Sequence, residues 1–170
     1  MKIESKVIYY FMIFILGAMV GYLYEVIFYY LSLGFFNNWG ILYGPWLPIY
    51  GIGAICLSFL KVFKKKPLLL FLCSILITGI VEYLIGYISV SIFDLRLWDY
   101  SGLFLNINGL VCFRSVITFA IGSLFLIYLF EPIIDKLSSE KFIKIMCICI
   151  FIIFVIDIVL SILYRNVYTF

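Results

Sequence analysis

The run Val7-Ile-Tyr-Tyr-Phe-Met-Ile-Phe-Ile-Leu-Gly-Ala-Met-Val-Gly-Tyr-Leu-Tyr-Glu-Val-Ile-Phe-Tyr-Tyr-Leu31 holds a single charged residue, Glu25, in 25 positions. About 20 apolar residues in helical form cross a hydrocarbon core of about 30 Å, so this run is long enough to span a bilayer. It is too long for the apolar region of a secretory leader, and no small-residue cleavage pattern follows it. We therefore expect it to be a first membrane span.

Working outward, further apolar runs bounded by charge or turn residues predict spans at about 47–63, 67–90, 109–130 and 143–164. Pro48 and Pro67 stand at helix starts, and Pro132 is expected just past a helix end. The second span is the shortest, because Asn37, Asn38, Gly40, Gly44 and Pro45 mark the preceding stretch as a loop. The expected fold is all-α: a single polytopic membrane domain over residues 1–170, with about five transmembrane helices. Composition agrees, with 66% apolar and 12% charged residues and a mean hydropathy of +1.24, against about 25% charged in water-soluble domains.

Loop charge predicts the orientation. Lys2, Lys6, Lys61, Lys64, Lys65, Lys66, Lys136, Lys141 and Lys144 all fall on one side of the predicted spans, whereas Arg96, Arg114 and Arg165 fall on the other. By the positive-inside rule the N-terminus is cytoplasmic and the C-terminus outside. Trp39, Trp46 and Trp98 then lie in the two outer loops, as an interfacial aromatic belt requires. The net charge of +3 comes from short basic runs between apolar stretches, which are topology signals and not a nucleic-acid footprint.

The absence of histidine excludes Ser-His and Cys-His nucleophiles and histidine metal sites. No Gly-rich phosphate loop and no Cys-x-x-Cys occur. Cys56, Cys73, Cys112, Cys147 and Cys149 lie in apolar runs and read as packing residues. Neither a metal nor an organic cofactor is expected, and acid-base chemistry would rest on carboxylates, Tyr or Lys.

Three carboxylates fall inside predicted spans: Glu25, Glu82 and Asp157. Helix rise from the cytoplasmic ends, about 1.5 Å per residue, puts all three in the outer half of the bilayer. An ionisable group there costs at least about 2.5 kcal/mol unless it faces protein or water, which makes each a functional candidate. Gly17, Gly21 and Glu25 recur every fourth residue, as do Thr78, Glu82 and Gly86, with Asp157 and Ser161 a shorter instance. Small residues at that spacing let transmembrane helices approach closely. Arg96 and Arg114, with planar guanidinium groups suited to carboxylates, are expected opposite the acids. The helix N-termini expected near Pro48 and Asn108 aim positive dipole ends at the same region.

Two segments then resemble a known family. Asn38-Trp-Gly-Ile-Leu-Tyr-Gly-Pro-Trp-Leu-Pro-Ile-Tyr-Gly-Ile-Gly53, and Leu97-Trp-Asp-Tyr-Ser101 followed by Asn106-Ile-Asn-Gly109, resemble the bacterial CmpB family, labelled ABC-transporter type IV. Gly21-Tyr-Leu-Tyr-Glu25 and Glu82-Tyr83 fit its pattern too, so the resemblance runs from about residue 15 to Pro132. It implies a permease subunit. Similar proteins carry arginines where this chain has Trp39 and Leu110; Arg114, one helical turn on, stands where it could replace one of those charges.

The expected function is thus a permease-like subunit, a transporter component of the bacterial plasma membrane, with an outward-facing polar cavity. Its expected lining is Glu25, Tyr43, Tyr50, Glu82, Trp98, Asp99, Tyr100, Asn106, Asn108, Arg114 and Asp157. Glu25 and Glu82 would be ion- or proton-coupled, Asn106 and Asn108 would hydrogen-bond, and Trp98 and Tyr100 would wall the cavity. Five spans are few for a whole transporter, so a homo-oligomer or a partner ATPase is implied, besides the lipid bilayer. Two alternatives stay open: an intramembrane enzyme using carboxylate acid-base chemistry on a lipid-linked or envelope substrate, and a structural or regulatory protein whose buried acids only lock helices together.

Overall fold

A computed structural model describes residues 3–34 and 40–164. Lys2, Asn37, Asn38, Trp39 and Arg165, all used above, lie outside the described residues. The elements are α1 (Ile3–Leu33), α2 (Pro48–Ser58) continued by a 3-10 turn (Phe59–Phe63), α3 (Pro67–Phe93), α4 (Phe113–Phe125), a π-helical turn (Leu126–Phe130), α5 (Glu131–Leu137) and α6 (Lys141–Tyr164). The described residues form no strand; Ile107 and Val111 make an isolated β-bridge.

Among the described residues, four helices are long and apolar enough to cross a membrane: Ile3–Leu31, Pro67–Phe93, Phe113–Leu137 and Lys141–Tyr164. Leu76, Ile80, Ile152 and Ile156 are each more than half exposed on their surfaces. Rows of bare Leu and Ile are costly in water and suit lipid, so the chain is a polytopic helical membrane protein. Pro48–Phe63 is shorter. Its 11 α-helical and 5 3-10 residues reach about 26 Å, just under the hydrocarbon thickness.

The fourth long helix departs from expectation at both ends. It begins at Phe113 and not near 109, because Asn108 and Gly109 both hold positive φ, at 54° and 70°, and keep that stretch in a turn. The helix dipole expected at Asn108 therefore starts at Phe113. At the other end, Pro132 lies within the helix instead of beyond it. Proline removes one N–H and presses its ring towards the carbonyl four residues back, here Tyr128. The π turn relieves this by widening the helix directly before the proline, with the Glu131 N–H reaching the Leu126 carbonyl five residues back.

The described residues divide into two compact units, one of residues up to 52 together with those from 132 onward, the other of residues 53–131. In the first, α1 packs on α6. Ile15, Ala18, Leu42, Trp46 and Phe154 form its core. Phe154 meets Phe14 and Trp46 edge-on, at ring-centroid distances of 5.5 and 5.6 Å, a geometry that aromatic quadrupoles favour. Gly21 admits the Tyr50 ring so closely that a Cβ there would collide with it.

In the second unit α3 packs on α4. The buried residues of α3 include Leu70, Ser74, Thr78, Glu82 and Gly86, one every fourth position. This ridge extends the small-residue spacing seen in the sequence by two further turns, and it meets its partner through a 2.7 Å hydrogen bond between the Ser74 and Ser123 hydroxyls. Small side chains and a satisfied polar pair are how helices associate where lipid offers no hydrophobic drive.

Candidate functional site

In the first unit the site residues fall into two groups. Glu25, near the end of α1, accepts a hydrogen bond from the Tyr50 hydroxyl. Tyr50 is the third residue of α2, whose start is set by Pro48 at its first position. Asp157, in α6, is the acceptor for the loop that precedes α2. The Tyr43 and Gly44 amides donate to its two oxygens at 3.0 and 2.9 Å, the Trp46 indole N–H at 2.6 Å and the Ser161 hydroxyl at 3.3 Å. Asp157 thus uses both oxygens to hold a backbone turn, and Tyr43 serves it through its amide.

In the second unit, Glu82 is buried in α3 and accepts from the Ser115 hydroxyl at 2.7 Å. Ser115 also accepts from the Cys112 N–H at 3.2 Å, while the Cys112 sulfur accepts from the Ser115 N–H. This capping box fixes where α4 starts. Ser115 is the third residue of its helix, as Tyr50 is of α2. In each unit, therefore, an intramembrane glutamate takes a hydroxyl hydrogen bond from the first turn of the helix that follows its own. Sequence reasoning missed Ser115; the signal was its place three residues after Cys112 at the head of an apolar run.

Residues 94–112 carry most of the remaining candidates. Asp94 ends α3 in a left-handed conformation, φ 49°. Asp99 accepts from the Ser101 amide at 2.9 Å and from the Ser101 hydroxyl at 2.5 Å, and stands 3.6 Å from Arg96. The Ser101 hydrogen bonds first, and the Arg96 guanidinium after them, hold the Asp99 carboxyl below the usual carboxylate range. Arg96, expected opposite the intramembrane acids, is thus engaged inside this loop, and it also donates to the Asn108 carbonyl at 2.9 Å.

Asn106 donates to the Ser101 and Leu103 carbonyls at 3.1 and 2.9 Å and accepts from the Gly109 amide at 3.2 Å. Asn108 donates to the Tyr83 hydroxyl at 3.1 Å. The Trp98 indole donates to the Leu110 carbonyl at 2.8 Å. Arg114 lies over the Tyr100 ring, 5.8 Å from its centroid, within cation–π range. Gly109 cannot be replaced freely. A Cβ would meet Ser101, Arg96 and Asp99 atoms at 2.5 to 2.7 Å, and its φ is left-handed.

One acid escaped the sequence reading. Glu131, one residue past the end expected for the fourth span at 130, is buried within the helix Phe113–Leu137. Among the described residues no group of three or more Cys, Asp or Glu side chains is placed to hold a metal ion.

The fold and these groups define a class: a polytopic helical membrane protein with carboxylates held by hydrogen bonds inside its spans. A family model described as "Putative ABC-transporter type IV" matches residues 12–162, and the chain belongs to that family, CmpB. No curated protein and no solved structure matches it.

Proposed function

We propose that the chain is a permease-like subunit of a transporter in the bacterial plasma membrane, with Glu25 and Glu82 as its ion- or proton-coupled groups. The observation that supports this most is the recurrence of one arrangement: a carboxylate in a span, given a hydroxyl hydrogen bond by the third residue of the next helix. A hydroxyl can serve a carboxylate and its protonated acid alike, so a proton can arrive and leave without stranding a buried polar group. Asp157 has the other role, of anchoring the loop that leads into α2.

The same reading carries the rest of the sequence expectations. A single domain crosses the bilayer five times, the short helix Pro48–Phe63 included, with its N-terminus in the cytoplasm. A polar cavity opens to the outside, and a second copy or a partner ATPase completes the transporter. The family description supports the transport context.

Proteoliposomes loaded with a pH-sensitive dye and driven by a potassium diffusion potential test the coupling role. E25Q and E82Q should elute as the wild type does, yet pass protons at least tenfold more slowly. Wild-type flux in both variants would overturn the assignment. Turnover of an added lipid-linked substrate without flux would favour an enzyme.

A further inference from the structure

Ser115 has more partners than its hydroxyl can serve at once. Its oxygen lies 2.7 Å from a Glu82 carboxyl oxygen and 2.8 Å from the Cys112 carbonyl, both at donating distance, and it accepts from the Cys112 N–H at 3.2 Å. A serine hydroxyl carries one hydrogen and two lone pairs. With Glu82 ionised, the hydrogen is aimed at the carboxylate and one lone pair takes the Cys112 N–H. With Glu82 protonated, the acid donates to the second lone pair, and the hydroxyl hydrogen is released to the Cys112 carbonyl. All three neighbours are then bonded to the hydroxyl together.

This turn of one hydrogen strands no group. The Cys112 carbonyl also accepts the Val116 N–H at 3.2 Å, so it is served in either state and has a lone pair to spare for the second. Glu82, Cys112 and Ser115 are all buried, and at such depth a group left unpaired costs about 1–3 kcal/mol. The spacing also selects the ion. Oxygens 2.7 Å apart share a hydrogen, whereas a metal ion bridging them, with each oxygen at about 2.0–2.6 Å, would press them apart. The charged and titratable groups on the neighbouring elements are engaged with one another. Tyr83 accepts from Asn108 and stacks on Tyr87, Arg96 stands with Asp99, and Arg114, the one charged residue of α4, lies over Tyr100. The Cys112 sulfur takes the Ser115 N–H, and Asp94 stands at the far end of α3, about 18 Å along the axis.

We propose that the ion taken up at Glu82 is a proton and that Ser115 is the positioning residue for it, turning its hydroxyl from Glu82 to the Cys112 carbonyl as the acid forms. The incoming proton stays on the Glu82 carboxyl. No bond of the serine breaks, since only its O–H rotates. The inference rests on the reading of Glu82 as an ion-coupled group and names the ion. It also couples the charge of a buried acid on α3 to the hydrogen bonds that begin α4.

Infrared difference spectra of the full chain in lipid nanodiscs, taken between alkaline and acidic pH with the cysteine carbonyls isotope-labelled, test it. In the wild type, acidification should raise a carboxyl band that E82Q lacks, and a labelled carbonyl should move to lower frequency with it. C112A, which keeps that carbonyl but not its label, should lose the shift. S115A should keep the carboxyl band and lose the shift, and S115T, which retains a hydroxyl, should recover it. Exchanging potassium for sodium should leave the band unchanged. Melting temperatures show which variants fold, and the wild type, C112A and S115T decide the matter where S115A does not. A Glu82 band that rises in the wild type with the labelled carbonyl unmoved overturns the proposal, as does a shift that survives S115A or a band that sodium removes. Proton flux lost in E82Q beside an unmoved carbonyl would sink this inference and leave the transport reading standing; a moving carbonyl in a chain that passes no protons would do the reverse.

Discussion

The loop leading into α2 and the loop leading into α4 are held in opposite ways. Residues 43–46 hang on a carboxylate more than a hundred positions away, Asp157 in α6, through two amides and an indole. Residues 94–112 hold themselves. Asp99 turns back on Ser101, Asn106 ties Ser101 and Leu103 to Gly109, and Arg96 spans to the Asn108 carbonyl. The first loop takes its shape only once α6 is in place, whereas the second carries its restraints in neighbouring sequence. Connections of similar composition can thus differ in what unfolds with them.

Substitutions break this contrast in graded steps. D157A should cost most, because it leaves the Gly44 amide and the Trp46 indole without their acceptor and the Tyr43 amide with the Ser161 hydroxyl alone, at about 1–3 kcal/mol for each buried donor left unpaired. Unfolding in mixed micelles should show a loss of at least about 3 kcal/mol and early proteolysis between α1 and α2; a loss as small as that of an exposed loop mutation would erase the distinction. G109A comes next. A left-handed φ and three close atoms should cost about 2 kcal/mol, with proteolytic cutting confined to residues 94–112.

Smaller effects sharpen the comparison of the two glutamates. S115A removes a donor to Glu82 and half of a capping box, and should destabilise by about 1–2 kcal/mol. Y50F removes only the hydroxyl facing Glu25, at about 1 kcal/mol. Thermal melts that reverse this order would show that the cap contributes little.

The smallest effect is a pH response. Asp99 is held below its ordinary value, near pH 3.9 in unfolded chains. Its contribution to folding is therefore complete above that value, and fades as pH falls through the lower folded one. Acidification below about pH 4 should loosen the second loop of the wild type, read by Trp98 emission, and should change D99N less.

The long helices were legible because 3.6-residue geometry and a bilayer demand long apolar runs, as in 7–31 and 143–164. The fourth-residue spacing of Thr78, Glu82 and Gly86 named the contact ridge of α3 correctly, and it proved longer than it looked. The local turn at Asn108-Gly109 was legible too, since Asn-Gly favours successive positive φ; taking the apolar stretch after it as helix from 109 concealed that. Pro132 misled because proline usually ends helices, and no pattern announces the π turn that lets one continue. Asp157 read as a site acid because its spacing to Ser161 is visible, while its partners at 43–46 are distant in sequence. Trp46, which proved to be a donor to that acid, read only as part of an aromatic belt.

The widened turn at Leu126–Phe130 makes two sequence characters interdependent. Removing one residue from it would restore ordinary winding and drive the Pro132 ring onto a carbonyl. Replacing Pro132 alone would leave a bulge with nothing to accommodate. In a lineage of related chains the extra residue and the proline should therefore be gained or lost together, so that a one-residue gap in this helix coincides with a different amino acid at the position of Pro132.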